Sequence, residues 1–483
     1  MTCSRSPRPA GPAALSLLIA ASLAACAVGP AYQRPSAEVP VAWRESPADG
    51  WQPAAPADAV DRGAWWRLFG DPELDRLAEQ VAISNQNIAA AVAAYAQALA
   101  AVREQRAALF PALSLSGGAT RSGGGRGGNS AGVGAGSSSG NNFQAALGAS
   151  WEPDLWGRLG LAAANASANA QASEADLAAA RLSAQALLAT NYFSLREADA
   201  EIVLVRDTVE AYARAQQIVQ NRYDAGIVAR TDLLQAQTQL ANARADLAAL
   251  HGQRAQFEHA IAVLVGRAPG DFRLAEASWV RSVPDVPPGL PSTLLERRPD
   301  IASAERAVAA ANAQIGIQRS AYYPSLTLSG SYGTSASRIG DLASAGTTLW
   351  SLGLSVAQTL FDAGATRARV EGAEAARDIA VANYRQTVLA AFQGVEDQLS
   401  AARSLAEQEQ RRREASAAAD LTEQQLLNRY QAGQVSFTDV VTAQASALNA
   451  RRSVAQLAAS RQNAAVGLIQ ALGGGWQASS TAP

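Results

Sequence analysis

The chain is written twice. Arg222-Tyr223-Asp224-Ala225-Gly226 returns 207 residues later as Arg429-Tyr430-Gln431-Ala432-Gly433. Thr231-Asp232 returns as Thr438-Asp439, and Asn242-Ala243-Arg244 as Asn449-Ala450-Arg451. Across 222–244, 12 of 23 positions are identical at this offset, and alanine bias does not place the Tyr, Gly and Asp. So long a period is a duplication, not a solenoid. The halves meet in a Pro-rich linker at 267–293, with Pro284, Pro287, Pro288 and Pro291.

The pattern in each half predicts helix, strand, loop, strand, long helix, tight turn, helix. The first repeat is 71–266: a helix from Asp71-Pro72-Glu73 to about Leu109, strands at about 111–119 and 142–151, then helices at 158–224 and 231–266. The second is 294–473: a helix to Tyr323, strands at about 324–333 and 347–357, then helices at 364–430 and 439–472. A tail at 474–483 follows. Between Arg158 and Asp224 there is no Pro, and at about 1.5 Å per residue this helix reaches roughly 100 Å. Leu195, Ala198, Ile202, Val205, Val209 and Tyr212 step by three and four, which predicts coiled-coil packing. Gly226 and Gly433 supply a left-handed residue to end each long helix, and Thr231-Asp232 and Thr438-Asp439 are the expected caps of the next ones.

The strands have period two. Leu113 and Leu115, then Phe143, Ala145, Leu147, Ala149 and Trp151, alternate with small or polar residues. So do Leu326 and Leu328, then Trp350, Leu352, Leu354 and Val356. Membrane strands need about 9 to 11 such residues, and Trp151, Trp156, Trp350 and Phe361 fall near strand ends where an interfacial girdle would lie. Soluble hairpins are the alternative. The Gly-, Ser- and Asn-rich segment from Gly117 to Asn142 reads as a flexible loop, and Gly333 to Gly346 as its shorter counterpart. Four strands cannot close a barrel, which takes about eight, so strands are pooled between copies of the chain.

The N-terminus reads as a signal peptide of the lipoprotein type, 1–25. Arg5 and Arg8 precede an uncharged run from Ala13, too short to span a bilayer. It ends in Leu23-Ala24-Ala25-Cys26, which resembles a lipobox. Cys26 is then the first mature residue and the site of diacylglycerol and N-acyl attachment, at the head of a lipidated segment 26–70. Acyl chains contribute about 0.8 kcal/mol per buried methylene. Ala27 in place of Asp favours sorting to the outer membrane.

Composition removes several classes. The net charge of −2 gives no footprint for nucleic acid. All 40 basic residues are Arg, so P-loop and Schiff-base lysines are excluded. His251 and His259 stand eight apart, where a metal pair on a helix wants about four. Met1 is the only Met, and neither a catalytic triad nor a cofactor motif is present. The expectation is no enzyme, no metal and no cofactor beyond the acyl chains.

Taken together, the twofold repeat, the two Arg-Tyr-x-Ala-Gly turns with Asp six residues after the Gly, and Arg298-Pro299-Asp300-Ile301 resemble the outer membrane factor family of TolC and OprM. The lipobox resembles its lipoprotein branch (NodT-like) that serves RND-type efflux systems. The resemblance implies an α+β membrane protein: a homotrimer with a twelve-stranded β-barrel, four strands per chain, continuous with a periplasmic α-helical barrel. It also implies docking to a periplasmic membrane-fusion adaptor and an inner-membrane RND-type transporter, in a channel that conducts passively to the outside. The turns about 222–232 and 429–439 correspond to the periplasmic tips, with Arg222, Tyr223, Gly226, Arg429 and Gly433 as docking residues. Asp439 corresponds to a lumen-facing carboxylate ring with raised, coupled pKa values, and Tyr430 and Asp232 to residues that hold the tip shut. A second ring Asp of some relatives is Thr442 here. Two other readings remain at this point: the exit duct of a type I protein secretion system, and a non-conducting envelope lipoprotein.

Overall fold

A computed structural model describes residues 28–40, 42–45, 62–123, 140–286, 297–344 and 347–474. The signal segment, Cys26, residues 287–296 of the linker and most of the tail lie outside the described residues. In chain order the helices and strands are α1 (Pro72–Ser84), α2 (Gln86–Ala107), β1 (Ala112–Ser122), β2 (Gly140–Trp151), α3 (Arg158–Asp224), α4 (Arg230–Leu264), α5 (Pro299–Arg319), β3 (Ser325–Ala336), β4 (Thr348–Ala357), α6 (Ala365–Gln431) and α7 (Phe437–Ala471). Equivalent elements start 213 residues apart before the hairpin loop (Gln86 and Pro299, Ala112 and Ser325) and 207 apart after it (Arg158 and Ala365, Arg230 and Phe437). The six-residue difference is therefore the longer β1–β2 connection.

The chain divides into two compact units. One takes its described residues from Met1–Pro35, Tyr95–Ala172 and Ala304–Tyr384, and the other from Ser36–Ala94, Ser173–Ser303 and Arg385–Pro483. The first holds one antiparallel sheet in the order β1-β2-β3-β4, with β1 and β4 at its edges. The register brings the alternating apolar residues onto a single face. Leu113 pairs with Ala149 and Leu115 with Leu147. Leu147 pairs with Tyr332, and Tyr332 in turn with Trp350, while Leu326 and Leu328 meet Val356 and Leu354. Leu115, Trp350, Leu352 and Leu354 are each more than half exposed on this face. On the other face Ser331 Oγ lies 2.8 Å from Ser351 Oγ, and Ser335 Oγ donates to Asn142 Oδ1 at 2.7 Å. At the start of β3 the rings of Trp156 and Tyr323 stack at 4.8 Å, and Trp156 Nε1 donates to Pro324 O at 2.6 Å.

The strands are longer than their side chains suggest. Gly117 and Gly118 belong to β1, paired with Ala145 and Gln144, so strand replaces the expected loop up to Ser122 and from Gly140, and residues 124–139 lie outside the described residues. Likewise β3 runs on to Ala336, and a short 3-10 turn occupies Ile339–Ala343. Ladder hydrogen bonds are made by backbone groups, so Gly and Ser extend a strand once a partner is in register.

In the second unit the expected first helix is broken. Asn85 stands in extended backbone between α1 and α2; its Oδ1 accepts from Asn87 N and Ile88 N, and its Nδ2 donates to Leu264 O at 2.9 Å. The second repeat has the same clasp in different chemistry. Arg298 Nη1 donates to Ala471 O at 2.8 Å while Nε and Nη2 hold the Asp300 carboxylate. Each clasp ties the start of one helix to the last residue of the helix that ends its repeat. The α5 helix starts at Pro299 and gives way to a 3-10 turn at Ser320–Tyr322, short of the Tyr323 expected.

The described part of the linker is stitched to the helices. Leu274 N donates to buried Glu258, and Leu274 O accepts from Arg254, which also holds Asp199 at 2.6 Å. Arg196 bridges Asp199 and Ala275 O. Gln462, fully buried on α7, accepts from Trp279 Nε1 and donates to Val280 O and Ser282 O. Buried charges of this kind are tolerated because each is paired and hydrogen-bonded.

One carboxyl in this wall is poorly served. Glu201 of α3 takes both Arg452 and Gln456 of α7. Glu197, one turn before it, is pushed up to about 7 by burial and by the Glu201 charge, with Arg452 opposing. A raised folded-state pKa gives stability that is complete below the usual carboxylate range and is lost as pH rises through about 7. The melting temperature of Glu197→Gln should therefore equal wild type at about pH 5 and exceed it at about pH 8, as followed by circular dichroism. Parallel curves for the two proteins would remove Glu197 as the titrating group.

Candidate functional site: the paired helix turns

Both Arg-Tyr-x-Ala-Gly segments end a long helix in the same way. Gly226 and Gly433 each have φ of +73°, and in each turn the Tyr carbonyl accepts from the Gly N–H while the Arg carbonyl accepts from the residue after the Gly. Those bonds measure 2.8 Å in the first turn and 2.9 Å in the second. This double closure is what fixes a Gly four residues after the Arg: only Gly takes the left-handed position without crowding its own Cβ.

The helices that follow start differently from the expectation. The α7 helix is capped by Ser436, not Thr438. The Ser436 hydroxyl accepts from Asp439 N, and Asp439 Oδ2 accepts from Ser436 N at 3.0 Å, a reciprocal capping box. The α4 helix starts at Arg230 behind Ala229, with no side-chain cap, so Thr231 and Asp232 lie inside its first turn. Asp439 is exposed. The Ser436 hydroxyl, then the Ser436 N–H, and less strongly the Arg429 charge hold its pKa below the usual carboxylate range. Within one chain its environment thus stabilises the ionised form, opposite in direction to what a ring of like charges would impose.

Several predicted residues converge. Val219, Leu233, Ala236, Phe437 and Val441 form one buried cluster, with Tyr223, Val228 and Tyr430 packed against it. The Arg222 guanidinium lies 5.4 Å from the centre of the Tyr430 ring, and that ring lies 5.5 Å from Phe437. Thr438 Oγ1 meets Gln235 Oε1 at 3.3 Å, a second link between the two turns. The Tyr430 hydroxyl is buried and has no hydrogen-bond partner among the described residues. Among those residues no hydrogen bond joins Asp232 to Tyr430 or Asp439, so a Tyr430–Asp232 latch is not made within a single chain. Sequence reasoning missed Phe437, Ser436 and Gln235. The first two carried a signal: they replace Arg230 and Ala229 of the first repeat, departures from the duplication where the second turn gains a ring and a cap.

The profile of the outer membrane efflux protein family matches residues 77–267 and 290–474, that is, both repeats. The chain belongs to this family. The Pseudomonas aeruginosa pyoverdine export outer membrane protein OpmQ is 34% identical over 474 residues, covering 96% of this chain and 97% of that one. The solved outer-membrane channel OprN superposes with a TM-score of 0.81 at 30% identity, over 94% of this chain and 100% of its own. The Campylobacter jejuni CmeC outer membrane channel gives a TM-score of 0.86 at 25% identity, over 94% and 96%. This outer membrane efflux protein thus has the channel fold, and its exposed apolar sheet face is the surface that a bilayer covers. No helix among the described residues is long and apolar enough to cross a membrane.

Gly433→Ala tests the turn. Forcing an L side chain into the left-handed region costs about 1 kcal/mol, so amide exchange across 429–436 should speed up about fivefold with the fold otherwise intact. An unchanged rate would mean that the turn does not hold φ at a positive value.

Proposed function

We propose that this outer membrane efflux protein is the exit duct of a tripartite pump. Three copies close a twelve-stranded barrel, a periplasmic adaptor docks at the helix turns, and an inner-membrane transporter of the RND type supplies the energy. The observation that carries this reading is a four-stranded sheet with one exposed apolar face and two open edges, built into the same chain as helices long enough to reach far from the membrane. Backbone groups at those edges need partners inside hydrocarbon, and further copies of β1 and β4 supply them. Cys26 carries the acyl chains that hold each chain at the membrane before and after insertion.

The turns are the gate. Asp439 copies from three chains form a carboxylate ring that attracts cations, and Thr442 in the next turn leaves that ring single. Tyr430, whose hydroxyl has no hydrogen-bond partner among the described residues, and Asp232 are the groups that reach a neighbouring chain when the gate is shut. Arg222, Tyr223, Gly226, Arg429 and Gly433 shape the grooves that the adaptor enters. Energy is supplied elsewhere, in keeping with a chain that has neither a P-loop lysine nor a catalytic constellation.

Single-channel conductance in planar bilayers is the test. Asp439→Ala combined with Tyr430→Phe should raise conductance severalfold over wild type; equal conductance would take these residues out of the gate. Labelled palmitate should enter the wild-type chain and not Cys26→Ala, and a label retained by the variant would place acylation elsewhere. Co-purification of an ATP-driven protein exporter, in place of a proton-driven pump, would favour the protein-secretion reading.

A further inference from the structure

We infer that the end of the sheet away from the helices carries a site for the phosphate groups of an anionic glycolipid in the outer leaflet, built on Arg121 and Arg338. Arg121 is the only charged residue in the four strands. Its strand is paired without interruption from Ala112 to Ser122, so Arg121 shares the parity, and hence the face, of Leu113 and Leu115. Those two are 72% and 81% exposed. A lone guanidinium therefore stands on the face that lipid covers, and it stands at the far end of that face. From Leu113 to Arg121 is about 26 Å along the strand, and a tilt of about 40° leaves about 20 Å of height. There the side chain snorkels to the polar edge of the leaflet, where a charge costs little.

The register brings a second cation to the same level. Arg121 pairs with Asn141, and the last β2–β3 pair is Phe143 with Ala336. Arg338 follows two residues later in extended backbone (φ −131°, ψ 141°), which carries it to the level of Asn141. Because β1 and β3 flank β2, two strand spacings, about 10 Å, separate the two Arg backbones. Both side chains are exposed, and neither makes a hydrogen bond or ion pair with a described residue. Charges at the helix end of the sheet are paired within the chain, as where Arg158 meets Glu152 at 2.6 Å. The segments 123–139 and 337–347 hold one acid between them, Asp341, against Arg126 and Arg338. The far end is thus cationic in a chain whose net charge is −2. Ile339, next to Arg338, is 72% exposed and gives the cation an apolar flank. Two forked guanidinium groups above an apolar face fit a phosphorylated head group that carries acyl chains. A free anion would use the forks and leave the apolar surface idle.

Native mass spectrometry of the acylated trimer, freed of endogenous lipid by detergent exchange, tests the site with diphosphoryl lipid A as the probe. Wild type should bind it, and Arg121→Gln and Arg338→Gln should each weaken binding about tenfold. Arg121→Lys, which keeps the charge and loses the fork, should fall between. The trimer mass in the same spectra shows that each variant is assembled. Equal binding by wild type and the doubly substituted channel overturns the site. Inorganic phosphate in large excess should leave the lipid bound; displacement would mean a site for free anions and would overturn the lipid assignment. Asp341 of a neighbouring copy is the other anion that Arg121 can meet. Asp341→Asn should change neither lipid binding nor the temperature at which the trimer dissociates in dodecyl sulfate. If Asp341→Asn and Arg121→Gln each lower that temperature, and together lower it no further, the guanidinium belongs to the joint between copies and the inference fails.

Discussion

Everything in this protein follows from the demand that a backbone in hydrocarbon bond all of its amides. An edge strand leaves every second amide without a partner, and a four-stranded sheet satisfies only its interior ladders. Its edges, β1 and β4, are costly in lipid and useful only as joints. The sequence around them accepts that condition: Ser, Gly and Thr alternate with Leu, Trp and Val, so one face suits lipid and the other water. Assembly is thus not an embellishment of a finished fold. It completes a hydrogen-bond network that the four strands cannot close by themselves.

The same economy shapes the helical part. Two repeats of one plan need their ends tied, and the chain does this twice with different atoms: Asn85 to Leu264 in one repeat, Arg298 to Ala471 in the other. Asn reaches the carbonyl directly and caps the following helix with its own oxygen. Arg reaches it with one arm while the other grips Asp300, and Pro299 takes the first helical position, where a missing N–H costs nothing. The Arg-Pro-Asp segment that marks the family in sequence is, in this structure, a helix-start clasp. Its residues are particular because a bidentate guanidinium–carboxylate pair has one good geometry.

How much of this was legible depended on whether side chains or partners set the structure. The long helices showed because α3 and α6 contain no Pro and carry apolar steps of three and four. The single apolar face of the sheet showed because side-chain alternation reports it directly. Strand ends did not: Gly117–Ser122 has the composition of a loop, and only its pairing with Gly140–Ala145 makes it strand. The break at Asn85 was hidden because Gln86 to Ala107 continues helix-forming residues, and the kink is set by a carbonyl 179 residues away. The caps were misplaced for a related reason. Thr-Asp repeats in both halves, but Ser436 occurs only in the second and reaches Asp439 first.

The candidate site shows where a duplicated sequence misleads and where it informs. Reading the two turns as equivalents gives the Gly closure correctly, since both copies keep the residues that make it. It gives little hint of the junction between them, where Phe437 and Gln235, which differ from their copies, join kept residues such as Tyr430 and Ala236. Where the first repeat has Arg230 the second has Phe437, buried in the cluster with Val219, Leu233 and Ala236 and 5.5 Å from the Tyr430 ring over which Arg222 lies. After a duplication, a departure from the repeat beside an otherwise kept motif is therefore the better guide to what the second copy was fitted to touch, which here is the first copy.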